Sequence, residues 1–402
     1  MGYYIHRSNL NPIAFIFHCY FFLISILSPI KAQSPFAPDC TYGSGSVYIE
    51  GVAFYIQSGN FSSTDSPTQQ TFSIDLSVGW NVSSPAYTKL PNGISDTWFP
   101  NALLTDNRSW VAISGSTLVT FHLKTGIKSA GTPFATSRSL KGVGAYVDSG
   151  TGELVVPTLT SPSAPNPVYR SRNVNVTAVT EPTCTQLGGL YYYAMAWSTS
   201  QQAAFAFGGT SAAGNRSATL MRLNRQSSTW TPILAEGGPS PRQSACMVAI
   251  EGGNRLVVFG GQADDDVVQY DIYIYDILTS KWTKGTNGIP RSSHVCAASS
   301  GKLIAWGGYS SATRGASVPV LTAVYDLTTH SWQEQFVPSP SPICLSIALR
   351  RPKDYRQVPP LIPGIHSTSL CPSVLSIKAN NNNQSMTAYN RCSWKSALHW
   401  NS

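Results

Sequence analysis

Between Phe205 and Trp332 one pattern is written three times, and it restricts the possible folds more than any other feature of this chain. A hydrophobic run closes on paired glycines at Gly208-Gly209, Gly260-Gly261 and Gly307-Gly308. Asn224, Asp276 and Asp326 follow, and six residues after each stands a tryptophan, Trp230, Trp282 and Trp332. The repeat period is therefore close to fifty residues, the mark of stacked, equivalent units. Segments such as RLVVFGG and DIYIYD are rich enough in β-branched and aromatic residues to be strands. Paired glycines allow positive φ and close approach of a neighbouring backbone, as sheets crowded around an axis require. The tryptophan supplies a large apolar contact whose single N–H needs one partner.

Together these marks resemble kelch repeats, strongly over this third of the chain and weakly before it. The resemblance implies an all-β, kelch-type β-propeller related to the central domain of the galactose oxidase superfamily, of a secreted or cell-surface, fungal-type kind. Residues 43–337 leave room for six blades, within the 4 to 8 that propellers use. The first is eroded: Gly59 replaces a glycine pair, and Asp75 precedes Trp80 by five residues rather than six. Blades two and three keep the alternation but lose the marks, and are placed by spacing. The first blade is expected to pack on the sixth near Val337, which hides sheet edges that would otherwise invite aggregation. A seventh blade would have to come from the tail, which has none of the marks.

Residues 1–32 combine Arg7, an apolar run from Ile13 to Ile30 and a small residue, Ala32, before a cleavage point, as a secretory signal peptide does. A short lead-in, 33–42, follows. Asn-x-Ser/Thr acceptors at Asn60, Asn81, Asn107, Asn175, Asn215 and Asn383 fit passage through the secretory pathway and predict an extracellular glycoprotein, secreted or held at the cell surface. The tail, 338–402, is rich in proline and asparagine and is expected to be disordered. It has no membrane-spanning run, so a membrane partner is expected only if an anchor is missing from this C-terminus.

The formal charge of +8 suggests nucleic acid until it is located. Arg7 and Lys31 carry two charges, and the tail, with seven Lys/Arg against one acid, carries six. The body between them is neutral and offers a phosphate backbone no electrostatic footprint. Of eight cysteines one lies in the leader. Cys246 and Cys296 fall on the expected innermost strands of adjacent blades, where they form either a disulfide or two buried thiols. Cys40 with Cys184 is a weaker second pairing. Cys344, Cys371 and Cys392 lack zinc-site spacing.

Function is expected from loops at one end of the propeller. That end should carry Asp264, Asp265, Asp266, Tyr309 and Arg314, with Arg138, Arg242 and Arg291 from the turns between blades and His294 following the last of these turns. Guanidinium groups beside an acidic loop can bind a carboxylate or polar partner bidentately; arginines here can equally support neighbouring loops, and the three aspartates can be a solvated turn. The expected role is a non-catalytic module binding protein or carbohydrate, without cofactor. The alternative is a copper radical oxidase like galactose oxidase, which needs convergent histidine and tyrosine ligands. The propeller offers His122, His294 and His330, of which only His294 is placed to approach the axis; His366 and His399 lie in the tail. A sialidase-like reading ranks third, because the repeats hold no Ser-x-Asp-x-Gly box.

Overall fold

The computed structural model describes residues 36–339, apart from 62–65, 92, 116, 130, 134–139, 158–165, 173–174, 182–186, 188, 225–228 and 312–316; for 132–133, 166–172 and 175–181 only the backbone is described. The expected signal peptide, most of the tail, Arg138, Arg314, Cys184 and Asn383 lie outside the described residues.

The body is all-β. Six four-stranded antiparallel sheets follow one another along the chain, each ordered as a meander. Their first strands are Gly45–Ile49, Asn101–Leu103, Tyr146–Asp148, Ala194–Ser198, Cys246–Ile250 and Val295–Ser299, and they define sheets 1 to 6. Sheet 5 continues with Arg255–Phe259, Ile272–Asp276 and Lys281–Lys284. Each first strand neighbours those of the sheets before and after it, and the first strand of sheet 6 returns to that of sheet 1. The sheets therefore stand around a common axis as a propeller.

Burial follows radial position. Second strands are buried along most of their length, Ala203–Phe207 at every residue, because both faces of each sheet are covered by neighbouring sheets. The outermost strand Lys281–Lys284 is largely exposed. The core is accordingly a series of interfaces between sheets. Phe205 and Phe207 pack with Leu256 and Val258 between sheets 4 and 5, and Phe54, Ile56 and Phe72 pack with Ile304, Trp306 and Val324 between sheets 1 and 6.

A collar of six backbone hydrogen bonds ties the sheets together at one end. Gly43 N–H donates to Ser293 O (2.8 Å), Ser293 to Ser244 (2.9 Å), Ser244 to Tyr192, Tyr192 to Gly142, Gly142 to Trp98 and Trp98 to Gly43 (each 2.7 Å). Each residue stands just before the first strand of its sheet, and all six have positive φ, from 49° to 76°. Six donors and six acceptors in one cycle leave none of these groups unpaired inside the ring. The seam between sheets 6 and 1 is reinforced where Gln335–Phe336 pairs with Trp80–Asn81 and Phe336 stacks on Trp80.

Trp80 is therefore not the fourth-strand mark it resembles in sequence. The fourth strand of sheet 1 is Tyr87–Lys89, and Trp80 belongs to this seam, its indole N–H bonded to Asp75 O at 2.7 Å. That location accounts for the anomalous five-residue spacing.

Candidate functional site

Two ends of the propeller can be distinguished. The turn end carries the connections from first to second and from third to fourth strands. The loop end carries the connections from second to third strands and those between sheets. Along the axis runs a cavity of about 940 Å³, from Ser44, Tyr193 and His294 just inside the collar to Glu50, Glu251 and Lys302 at the turn end. Its wall is the free edge of six first strands, which sets backbone N–H and C=O groups among apolar side chains such as Val47, Met195 and Val248.

Two of the arginines expected at the loop end, Arg242 and Arg291, are structural. Arg242 is 1% exposed. Its guanidinium forms a bidentate pair with Asp271 and donates to Gly260 O at 3.0 Å. Arg291 is fully buried and donates to the carbonyls of Gly307 (2.9 Å), Leu321 (3.0 Å) and Val320. Burial lowers its pKa to about 10, so it is still a cation at neutral pH. Neither can clamp a carboxylate from outside.

The same geometry explains why arginine and paired glycines repeat together. Each arginine holds the first glycine carbonyl of its own sheet, while its own carbonyl accepts from the pair of the sheet before: Gly209 N–H to Arg242 O (2.9 Å) and Gly261 N–H to Arg291 O (2.8 Å). A Cβ on Gly260 would stand 2.3 Å from Arg291 O, and its φ is +65°. The repeating aspartate serves the turn end: Asp276 Oδ1 accepts Thr279 N–H at 2.8 Å, and Asp326 Oδ1 accepts Thr328 and Thr329 N–H. These bonds hold both carboxyls below the usual carboxylate range against the opposing effect of burial, which is the largest influence on Asp326. The tryptophans cover the connections between sheets, with Trp282 against Gly238 and Trp332 against Gly288.

Tyr309 is also internal, at 2% exposed, with its hydroxyl bonded to Gln262 Oε1 at 3.3 Å. His294 is 6% exposed and wedges between sheets 5 and 6, its ring edge-on to Phe259 at 5.1 Å. Phe99 and Tyr193 hold the matching place after the collar in sheets 2 and 4. Neither ring nitrogen of His294 has a hydrogen-bond partner. Burial, with a smaller contribution from Arg291, lowers its pKa to about 3, so the imidazole is neutral. His122 bonds Thr125 in a turn of sheet 2, and His330 lies beside Tyr325 at the turn end of sheet 6. The structure thus holds the three histidines at separate places.

Asp264, Asp265 and Asp266 are exposed, as a loop site requires. They are not a loose turn. Arg216 of sheet 4 pairs with Asp266 through its guanidinium and donates its backbone N–H to Asp264 at 3.2 Å. The Arg216 side chain is only 8% exposed, so the loop of sheet 5 is clasped by its neighbour. The same loop exposes Val267 (48%) and Tyr270 (44%). Sequence reasoning missed Arg216, Val267 and Tyr270. The available signal was the period: Arg216 and Asp266 are 50 residues apart, in equivalent loops of successive sheets.

The model of the KLHDC2/KLHL20/DRC7 kelch-repeats domain matches residues 194–346, which begin with sheet 4 and take in sheets 5 and 6. This chain carries a kelch-repeat β-propeller. Among curated relatives, the human Rab9 effector protein with kelch motifs is 37% identical over 109 residues, covering 25% of this chain and 29% of that protein. The mouse protein of the same name is 34% identical over 118 residues, covering 28% and 30%. The chain thus spans under a third of the length of these relatives. The solved structure of YjhT matches the propeller at a TM-score of 0.57 and 11% identity, over 74% of this chain and 98% of that one. At that identity the likeness concerns the fold alone.

In the propeller Cys246 and Cys296 form a disulfide, with Cα atoms 6.0 Å apart, joining the innermost strands of sheets 5 and 6. Cys40 donates its thiol to Gly308 O at 3.6 Å.

Proposed function

We propose that this kelch propeller is the interaction module of a secreted or cell-surface glycoprotein, its six sheets acting as six blades of one closed ring, and that it binds a protein partner through the loop end without catalysis or cofactor. The signal-like leader, the acceptor asparagines and the disulfide support the extracellular part, since disulfides persist in oxidising compartments. The kelch relatives, among them a protein named as an effector of Rab9, support protein over carbohydrate as the partner class.

The observation that carries the reading is the clasped loop of sheet 5. It exposes an aromatic and a branched apolar side chain beside three aspartates, on a segment already ordered by Arg216. Tyrosine is enriched among residues that dominate binding energy, and a preordered loop loses less entropy when a partner settles on it. A photo-crosslinking residue at Tyr270 should capture a partner from the extracellular fraction of the source cells, and the capture should be competed by unmodified protein. The same residue at Leu278, exposed at the turn end, should not. Equal capture at both positions, or capture at Leu278 alone, would remove the loop end from the proposal.

A further inference from the structure

The acceptor asparagines, read from sequence as equivalent, are not equivalent in the fold. Asn81 is exposed in the connection between the third and fourth strands of sheet 1. Asn107 is exposed in the first turn of sheet 2 with φ 52°, a conformation asparagine tolerates, and it lines the turn-end mouth of the axial cavity. Asn175 opens the fourth strand of sheet 3, at the same end. Asn215 is exposed on the loop of sheet 4, one residue before the Arg216 clasp.

Asn60 differs. Its Nδ2, the atom a glycan would occupy, donates to the hydroxyl of Tyr42 at 3.4 Å, and Tyr42 is fully buried. Its backbone pairs with Tyr42 between strands Asn60–Phe61 and Thr41–Tyr42. Thr41 in turn accepts Gly308 N–H at 2.8 Å, and Gly43 belongs to the collar. Asn60 is itself only partly exposed, and a branched sugar on its Nδ2 would have to fit against the buried Tyr42 where sheet 1 meets sheet 6.

We infer that, in the exported protein, N-glycans occupy Asn81, Asn107 and Asn215 while Asn60 carries none, so that sugar covers the turn end at sheets 1 and 2 and leaves a partner the loop end between sheets 5 and 6. This rests on the secretory reading above. Asn215 refines the footprint. Its glycan borders the aspartate side of the sheet 5 loop, where Arg216 meets Asp264. Tyr270 lies on the other side: its carbonyl accepts Gly288 N–H, and that of Gln269 accepts Arg291 N–H, both in the connection to sheet 6. A partner therefore reaches Tyr270 from the side of sheet 6. A glycan is bulky and hydrated, and a surface bearing one is closed to a close-packed protein contact.

The test is site occupancy of the full chain exported from a eukaryotic host. The folded monomer is isolated, its glycans are released enzymatically in heavy-oxygen water, and each acceptor is scored by mass spectrometry. Label is expected at Asn81, Asn107 and Asn215 and absent at Asn60. Asn107→Gln should lower the mass by one glycan, whereas Asn60→Gln should leave the glycan mass unchanged. Occupied Asn60 in folded monomer, or empty Asn107, would overturn the inference while leaving the secretory reading intact. Failure of export, or export without any glycan, would overturn the secretory reading and this inference with it.

Discussion

Replacing His294 by phenylalanine should make the protein markedly less sensitive to acid. An unfolded histidine titrates near 6.5, whereas in the fold burial lowers the value to about 3. Between those values the unfolded chain binds a proton that the folded chain refuses, so stability falls as pH drops. The loss starts below about pH 6.5 and ends only near pH 3. Each pH unit inside that window costs about 1.4 kcal/mol, so going from pH 7 to pH 5 removes about 2 kcal/mol through this one residue. The lowered carboxyls Asp106, Asp276 and Asp326 act in a different range. Their stabilisation is present above the ordinary carboxylate value near 4 and disappears as pH falls below it, so it does not enter a comparison of pH 7 with pH 5. Phenylalanine suits the site because the imidazole meets Phe259 edge-on, neither nitrogen has a partner to lose, and Phe99 fills the corresponding wedge in sheet 2. Urea unfolding of both proteins at pH 7 and pH 5, with the disulfide kept oxidised, should show the pH-dependent loss reduced by about 2 kcal/mol in His294→Phe. The same loss in both would mean that the imidazole is hydrated or charged in the fold, and the argument from burial would fail.

Two further predictions concern the devices that hold neighbouring sheets. Arg242→Met strands the 9%-exposed Asp271 carboxylate and removes a donor from Gly260 O, and should cost about 3–5 kcal/mol by chemical denaturation. Adding Asp271→Leu should restore much of that, and a single-variant cost below about 1 kcal/mol would show that the pair is solvated. Opening the Cys246–Cys296 bond frees a loop of 50 residues, and Cys246→Ala/Cys296→Ala should lose about 4 kcal/mol on chain-entropy grounds; an unfolding midpoint that reductant does not move would contradict a formed staple.

Sheets 4 to 6 were legible in sequence because their contacts need particular residue types. Only glycine fits where a Cβ would stand 2.3–2.5 Å from the carbonyl oxygen of the next connection, and Gly208, Gly260 and Gly307 each meet that condition. Sheet 1 is fainter because Ser58 takes the first of these places, with φ 61°, ahead of Gly59. The meaning of the arginines was not legible. A guanidinium can face solvent or fold back onto its own sheet, and only the positions of Gly260, Gly307 and Asp271 decide between the two. The Arg216 clasp escaped for a related reason: an arginine and an aspartate one period apart touch only if successive sheets stand side by side.

The collar lies at the other extreme, since it is the most regular contact in the molecule and left no trace in sequence. Its six members are Gly43, Trp98, Gly142, Tyr192, Ser244 and Ser293, with no side-chain chemistry in common. What they share is a backbone N–H, a carbonyl and a positive φ, and these any residue but proline can provide at some cost in strain. For bulky residues that cost is about 1–2 kcal/mol each, so Trp98 and Tyr192 persist only because their surroundings hold them. The surroundings are visible: the Trp98 indole lies over Gly43 and the Tyr192 ring over Gly142, each where a Cβ would come within 2.7 Å, and the two rings meet edge-on at 5.6 Å. Glycine therefore serves the ring twice at these places, by accepting the left-handed backbone and by making room for its neighbour's aromatic ring. Because the hydrogen bonds leave side-chain identity open, the surface around the axis at the loop end can change residue by residue while the ring beneath it stays closed.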